Sequence, residues 1–110
     1  MNPIIVTTTN TIEGRQITQY LGIVRGIAVR VPTISQGFQA IGNALSGNMQ
    51  AGADMYADLC ENARAQAYAR LVEHAQQLGA DAVVAMRFTS TTVGESAAEI
   101  LAYGTAVKLG

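Results

Sequence analysis

The run from Asp54 to Gly79, DMYADLCENARAQAYARLVEHAQQLG, constrains the chain more than any other stretch. Ala53, Ala57, Ala63, Ala65, Ala67, Ala69 and Ala75 favour a helix, and neither Pro nor Gly interrupts the run before Gly79. Tyr56, Leu59 with Cys60, Ala63, Ala67, Leu71, Ala75 and Leu78 recur at steps of three and four, which draws one apolar stripe. Asp54 and Asp58 suit the positive end of a helix dipole. Gly79 supplies the left-handed residue that stops a helix, and ADAVVAM continues as strand. A helix with one apolar stripe has to be covered by a second layer, and the rest of the chain offers β-strands.

Pro3 to Thr9 is β-branched and predicts a short strand, with Asn10 to Gly14 as the following turn. Gln16 to Val31 predicts a long strand ended by Pro32. Simple alternation puts Leu21, Ile23, Ile27 and Val29 on one face with Arg25 among them. Tyr20, Gly22, Val24, Gly26, Ala28 and Arg30 then fall on the other. Thr33 to Leu45 carries Ile34, Phe38, Ile41 and Leu45 at helical spacing and predicts a short amphipathic helix. Ser46 to Gly52 is expected as a mobile loop. Asp81 to Thr92 and Ala98 to Leu109 form the best hairpin candidate, turning at Gly94 to Ala97. Alternation in its first arm points Val84, Met86 and Phe88 one way, and Val83, Ala85, Arg87, Thr89 and Thr91 the other. The expected fold is a single α+β domain over residues 1–110, an antiparallel β-sheet packed in two layers on one long α-helix.

Apolar residues make up 49% of the chain and charged residues 14%, against about 25% charged in typical soluble domains. Gly22, Gly26, Ala28, Ala85, Ala102, Gly104 and Ala106 give the second face of the strands small, partly apolar side chains, unlike a solvated face. Both observations lead to the expectation that this face is buried against neighbouring subunits in a closed ring. No apolar run approaches the ~20 residues of a membrane span, and MNPIIVTTT lacks the features of a signal peptide. A net charge of −1 with scattered Lys and Arg argues against nucleic acid as a partner. One cysteine fits a reducing, cytoplasmic setting.

Candidates for chemistry are few. The metal-ligating types Cys60 and His74 lie fourteen positions apart on the same helix, roughly 21 Å at ~1.5 Å per residue. One chain cannot place both on one ion, so a metal site would need symmetry, such as several Cys60 side chains converging on a ring axis. Met49, Met55 and Met86 are further soft donors. Cys60 beside Leu59 on the apolar stripe also reads as a small core residue, and His74 near the helix end as surface or cap. No Gly-x-Ser-x-Gly elbow accompanies the Thr-rich stretches, and GNALSGNMQAG lacks the Gly-Lys-Ser/Thr ending of a phosphate loop. Glu95 and Glu99 flank the expected turn, where solvated carboxylates are ordinary.

From VTTTNTIEGRQI through YADLCENARAQAYARLVEHAQQLGADAVVAMRF to GTAVKL, the chain resembles the YbjQ-like family, small bacterial proteins labelled heavy-metal-binding and functionally uncharacterised. Ala63-Arg64, Leu78 to Val84 (LGADAVV) and Gly104 to Val107 (GTAV) carry the resemblance most specifically, over about Ile4 to Leu109. It implies an α+β subunit of antiparallel strands on a long helix, distantly like dodecin-type subunits and assembled as a homopentamer. Relatives often have acidic residues alternating along the strand after LGADAVV, where this chain has Arg87, Thr89 and Thr91. The resulting expectation is a non-catalytic, cytoplasmic homopentamer that binds a small ligand or a metal ion, with Cys60 and His74 as the candidate metal ligands. One rival is an adaptor ring presenting the Ser46 to Gly52 loops to a protein partner. Another is an enzyme with a site between subunits, drawn from Arg87, Glu99, Tyr103 or His74.

Overall fold

The computed structural model describes residues 3–30, 49–93 and 97–110. In chain order the elements are β1 (Ile5–Val6), β2 (Ile17–Arg30), α1 (Met49–Gln77), β3 (Ala82–Val93) and β4 (Ala97–Leu109). They form one four-stranded sheet in the order β1-β3-β4-β2 with α1 laid across one face, an α+β architecture. The strands β2, β3 and β4 are antiparallel neighbours as expected, but the short β1 runs parallel to β3, so the sheet is mixed. The segment expected as a helix from Thr33 to Leu45, and Gly94 to Ser96 of the turn, lie outside the described residues.

The helix starts earlier than its sequence suggests. It begins at Met49 and runs through Gly52, so the second half of the expected Ser46 to Gly52 loop is helical. Asp54 and Asp58 consequently lie beyond the first turn, which holds no acidic residue, and they do not complement the helix dipole. The stop is as read. Gly79 has φ +74°. Its N–H donates to the Gln76 carbonyl and the Ala80 N–H to the Ala75 carbonyl, each at 3.0 Å, which is a Schellman closure. Asp81 then fastens β3 to β4: its N–H donates to the Val107 carbonyl, and its carboxylate accepts the Leu109 N–H, both at 2.9 Å.

Ala63, Ala67, Leu71 and Ala75 are the buried edge of α1, and they meet Val24, Ala28, Val83, Met86, Ile100, Ala102 and Ala106 on the sheet. Leu78, the last residue of the expected stripe, is exposed, because the chain has already turned away at Gly79. The small-residue face of the sheet is therefore the face under the molecule's own helix, not a subunit contact. Gly26 shows why its residues are small. A Cβ there would overlap the Ala67 carbonyl oxygen and the Leu71 nitrogen, so the helix backbone rests on the strand backbone.

Three register shifts interrupt the sheet, and two of them, at Ala85 and at Gly22, decide which side chains reach the core. At Ala85, which has φ +54°, β3 gains one residue between its pairings Val84↔Thr105 and Arg87↔Tyr103. Val83 and Met86 thereby enter the core under α1, while Val84 packs with Ala82 and Val107 on the opposite face. Val83 thus shares a face with Met86, and Val84 with Arg87, where plain alternation groups Val84 with Met86 and Val83 with Arg87. The bulge is held by Thr7 and Thr9, whose carbonyls accept the Met86 and Ala85 N–H groups at 3.0 and 2.7 Å. Gly104 makes room for it, since a Cβ there would stand 2.7 Å from Val83 Cγ1 and 3.0 Å from the Val84 carbonyl. In β2 a similar shift at Gly22, with φ +112°, turns Leu21 toward the core and leaves Tyr20 across from Val107 on the other face.

Two outcomes test this packing. Gly26→Ala is expected to lower unfolding free energy by about 3 kcal/mol or more, since backbone rather than a flexible side chain has to give way. Urea denaturation reads this directly. Ala85→Gly is expected to raise stability by about 0.5–1 kcal/mol, because a left-handed residue costs Ala roughly 1–2 kcal/mol and Gly nothing steric. An unchanged urea midpoint would show that the bulge does not strain Ala85.

Candidate functional site

Among the described residues, no element covers the sheet face opposite α1 over much of its length. Ile12 and Ile17 cover Ala82, Val84 and Val107 at one end. Beyond them the strand register lines up side chains in rows across β2, β4 and β3: Ile23–Thr105–Val84, Arg25–Tyr103–Arg87, Ile27–Leu101–Thr89 and Val29–Glu99–Thr91. Ile23 is 75% exposed, Val29 60% and Tyr20, further down β2, 70%. A solvated sheet face is normally polar. This one carries large apolar side chains with two arginines in the same row, on either side of a tyrosine.

The arginines are differently placed. Arg87 Nη1 donates to the Thr8 and Met86 carbonyls, each at 2.8 Å, so its guanidinium is fixed beside the β3 bulge. Arg25 is fixed through its backbone. Its N–H, on the free edge of β2, donates to His74 Nδ1 at 3.2 Å, and one turn earlier on α1 Arg70 donates to the Ile27 carbonyl. His74 and Arg70 thus shield an edge strand whose unpaired backbone groups would otherwise invite another strand.

The sequence-derived candidates do not assemble into one site. Cys60 is half-buried on α1, and His74 lies near the other end of the same unbroken helix, roughly 21 Å away at ~1.5 Å per residue. His74 already spends one ring nitrogen on the Arg25 backbone. Met86 is buried in the core. Among the described residues, no three His, Cys, Asp or Glu side chains are grouped to hold a metal ion. Cys60 and His74 of one chain therefore cannot share an ion. Arg87 and Tyr103 are cross-strand neighbours, Glu99 shares their face two rows away, and His74 stands apart on the helix. Glu99 sits inside β4 rather than beside a turn. The hydroxyls of the Thr-rich stretch are engaged with one another. Thr7 and Thr9 are 2.8 Å apart, and Thr9 donates to the Thr11 carbonyl at 2.6 Å.

Arg25 is the residue that reading along the chain undervalued. The signal was an arginine in LGIVRGI, on a strand face otherwise apolar. Only the register sets it beside Tyr103 and Arg87. If His74 serves as an edge brace, His74→Ala removes one acceptor from a solvent-accessible N–H and should cost about 1 kcal/mol in urea denaturation. Native-state hydrogen exchange at the Arg25 amide should accelerate in the same variant, and an unaltered rate would count against the brace.

The chain has many relatives. A family model for YbjQ, described as "Putative heavy-metal-binding", matches residues 4–110. The UPF0145 protein lpl0253 of Legionella pneumophila (strain Lens) is 48% identical over 104 residues, covering 94% of this chain and 96% of that protein. A UPF0145 protein of Chromobacterium violaceum is 42% identical over 106 residues, covering 96% of this chain and 87% of its own length. Among solved structures, a DUF74-family protein of unknown function from Pediococcus pentosaceus ATCC 25745 superposes with a TM-score of 0.62. It is 14% identical, with 99% of this chain and 100% of that one covered, so the likeness concerns the fold alone. The length of the family match and the identity to full-length relatives place this chain in the YbjQ-like, UPF0145 family.

Proposed function

We propose that the protein is a non-catalytic, self-assembling subunit of a homopentameric ring that binds a small ligand. The observation that carries this reading is the open sheet face, where Ile23, Val29 and Tyr20 are 75%, 60% and 70% exposed. Apolar area on that scale is unfavourable in water at about 25 cal/mol per Å², and a second copy of the chain is the partner always available to cover it. The five-fold count comes from the family resemblance, and the ring supplies sites between copies that one chain lacks.

A cytoplasmic setting is proposed on the single cysteine, and no helix among the described residues is long and apolar enough to cross a membrane. The metal part of the family description calls for ligands from several copies, Cys60 foremost, because the described residues of one chain do not group them. A non-catalytic role is favoured by the placement of His74, whose Nδ1 accepts a backbone N–H.

Native mass spectrometry of untagged protein, purified without chelators, tests the assembly. A pentamer is expected, and Ile23→Glu should shift it toward monomer, because a carboxylate on that face opposes burial. Wild-type protein running as a monomer would overturn the reading. Zinc titration of the Cys60→Ala/His74→Ala double variant tests the ligands. Metal uptake equal to wild type would remove both residues from any site.

A further inference from the structure

We infer that the open sheet face holds a small oxyanion at the cross-strand row Arg25–Tyr103–Arg87. This names the ligand class for the ligand-binding role proposed above, yet the three residues come from one chain and meet without a ring.

Arg25 pairs with Tyr103 across β2 and β4, and Tyr103 pairs with Arg87 across β4 and β3. The two arginines stand two strand spacings apart, roughly 10 Å between backbones, on the same face with a phenol between them. Like charges so placed repel unless an anion lies between them. No carboxylate among the described residues pairs with either arginine. Among the described residues the ion pair within bonding distance is Arg64 with Glu61, both on α1. Glu99 shares the face but lies four residues further along β4, about 13 Å from Tyr103 at ~3.4 Å per residue.

The surroundings strengthen such a site. Arg87 is held by the Thr8 and Met86 carbonyls, which use one nitrogen of the guanidinium and leave other N–H groups of its fork for a ligand. Ile23 and Ile27 flank Arg25 on β2, and Leu101 lies beside Tyr103 on β4. Guanidinium N–H groups and a phenolic O–H are the donor types that bind the oxygens of a phosphate or carboxylate. A cation would be repelled at the same place.

Calorimetric titration of the full-length protein with inorganic phosphate, in phosphate-free buffer of low ionic strength, tests the site. The expected result is saturable binding of one phosphate per chain. Arg25→Gln and Arg87→Gln should each weaken it by about tenfold or more, as loss of a charge-assisted contact implies. Tyr103→Phe should weaken it less, and Arg64→Gln not at all. Circular dichroism and native mass of each variant establish that fold and assembly are kept. Three results would overturn the site: no saturable binding by folded wild type, an equal loss in Arg64→Gln, or binding that emerges only in Glu99→Gln. The last would mean that the carboxylate of a neighbouring copy occupies the row. Phosphate binding by a monomer would sustain this site while overturning the ring.

Discussion

The close seat of α1 on the sheet is the constraint from which the rest follows. Gly26 lets the backbone of α1 touch the backbone of β2, and Ala63, Ala67 and Ala75 keep the helix side of the contact equally thin. Thin contacts leave little side-chain volume to fill, so Leu71, Val24 and Val83 are among the few large fully buried groups. A small core stabilises through area at about 25 cal/mol per Å², and a chain with few large buried side chains has little of it. Closing α1 with a Schellman turn and fastening β3 to β4 through Asp81 add hydrogen-bonded stops at the place where the two layers are joined.

The same seat decides what the other face must carry. With the small residues consumed by the helix, the apolar surplus of the chain appears on the open side as Tyr20, Ile23, Ile27 and Val29. The expectation of a subunit contact began from the small-residue face, and the molecule assigns that face to its own helix. The exposed apolar surface is the opposite one, and it is larger in side-chain volume and carries two arginines. Helix and sheet also cooperate at the edge, where Arg70 and His74 occupy backbone groups of β2 that face away from β4. An edge blocked in this way favours association through faces over strand addition.

The motifs that carry the family resemblance are explained mainly by structure. In LGADAVV, Gly79 ends the helix, Asp81 ties two strands, and Val83 and Val84 divide between the two faces. In GTAV, Gly104 gives space to the β3 bulge. None of these roles requires a ligand. The row proposed to hold an oxyanion, Arg25, Tyr103 and Arg87, lies between those motifs rather than within them.

By itself the sequence determined the α+β class, the long helix with its Ala-Leu stripe, its glycine stop, and the antiparallel arm that follows. Each of these is local, set by propensity and by periods of 3.6 or 2. It also showed that Cys60 and His74 of one chain cannot share an ion, since helix rise alone separates them. Only the tertiary structure decided the parallel pairing of β1, the register shifts at Ala85 and Gly22 and the face that α1 covers. A bulge adds a single residue and reverses every side chain beyond it, with no composition to mark it when the residue is Ala85. The row of Arg25, Tyr103 and Arg87 depends on that count. One residue fewer in β3, and Arg87 would point toward the helix.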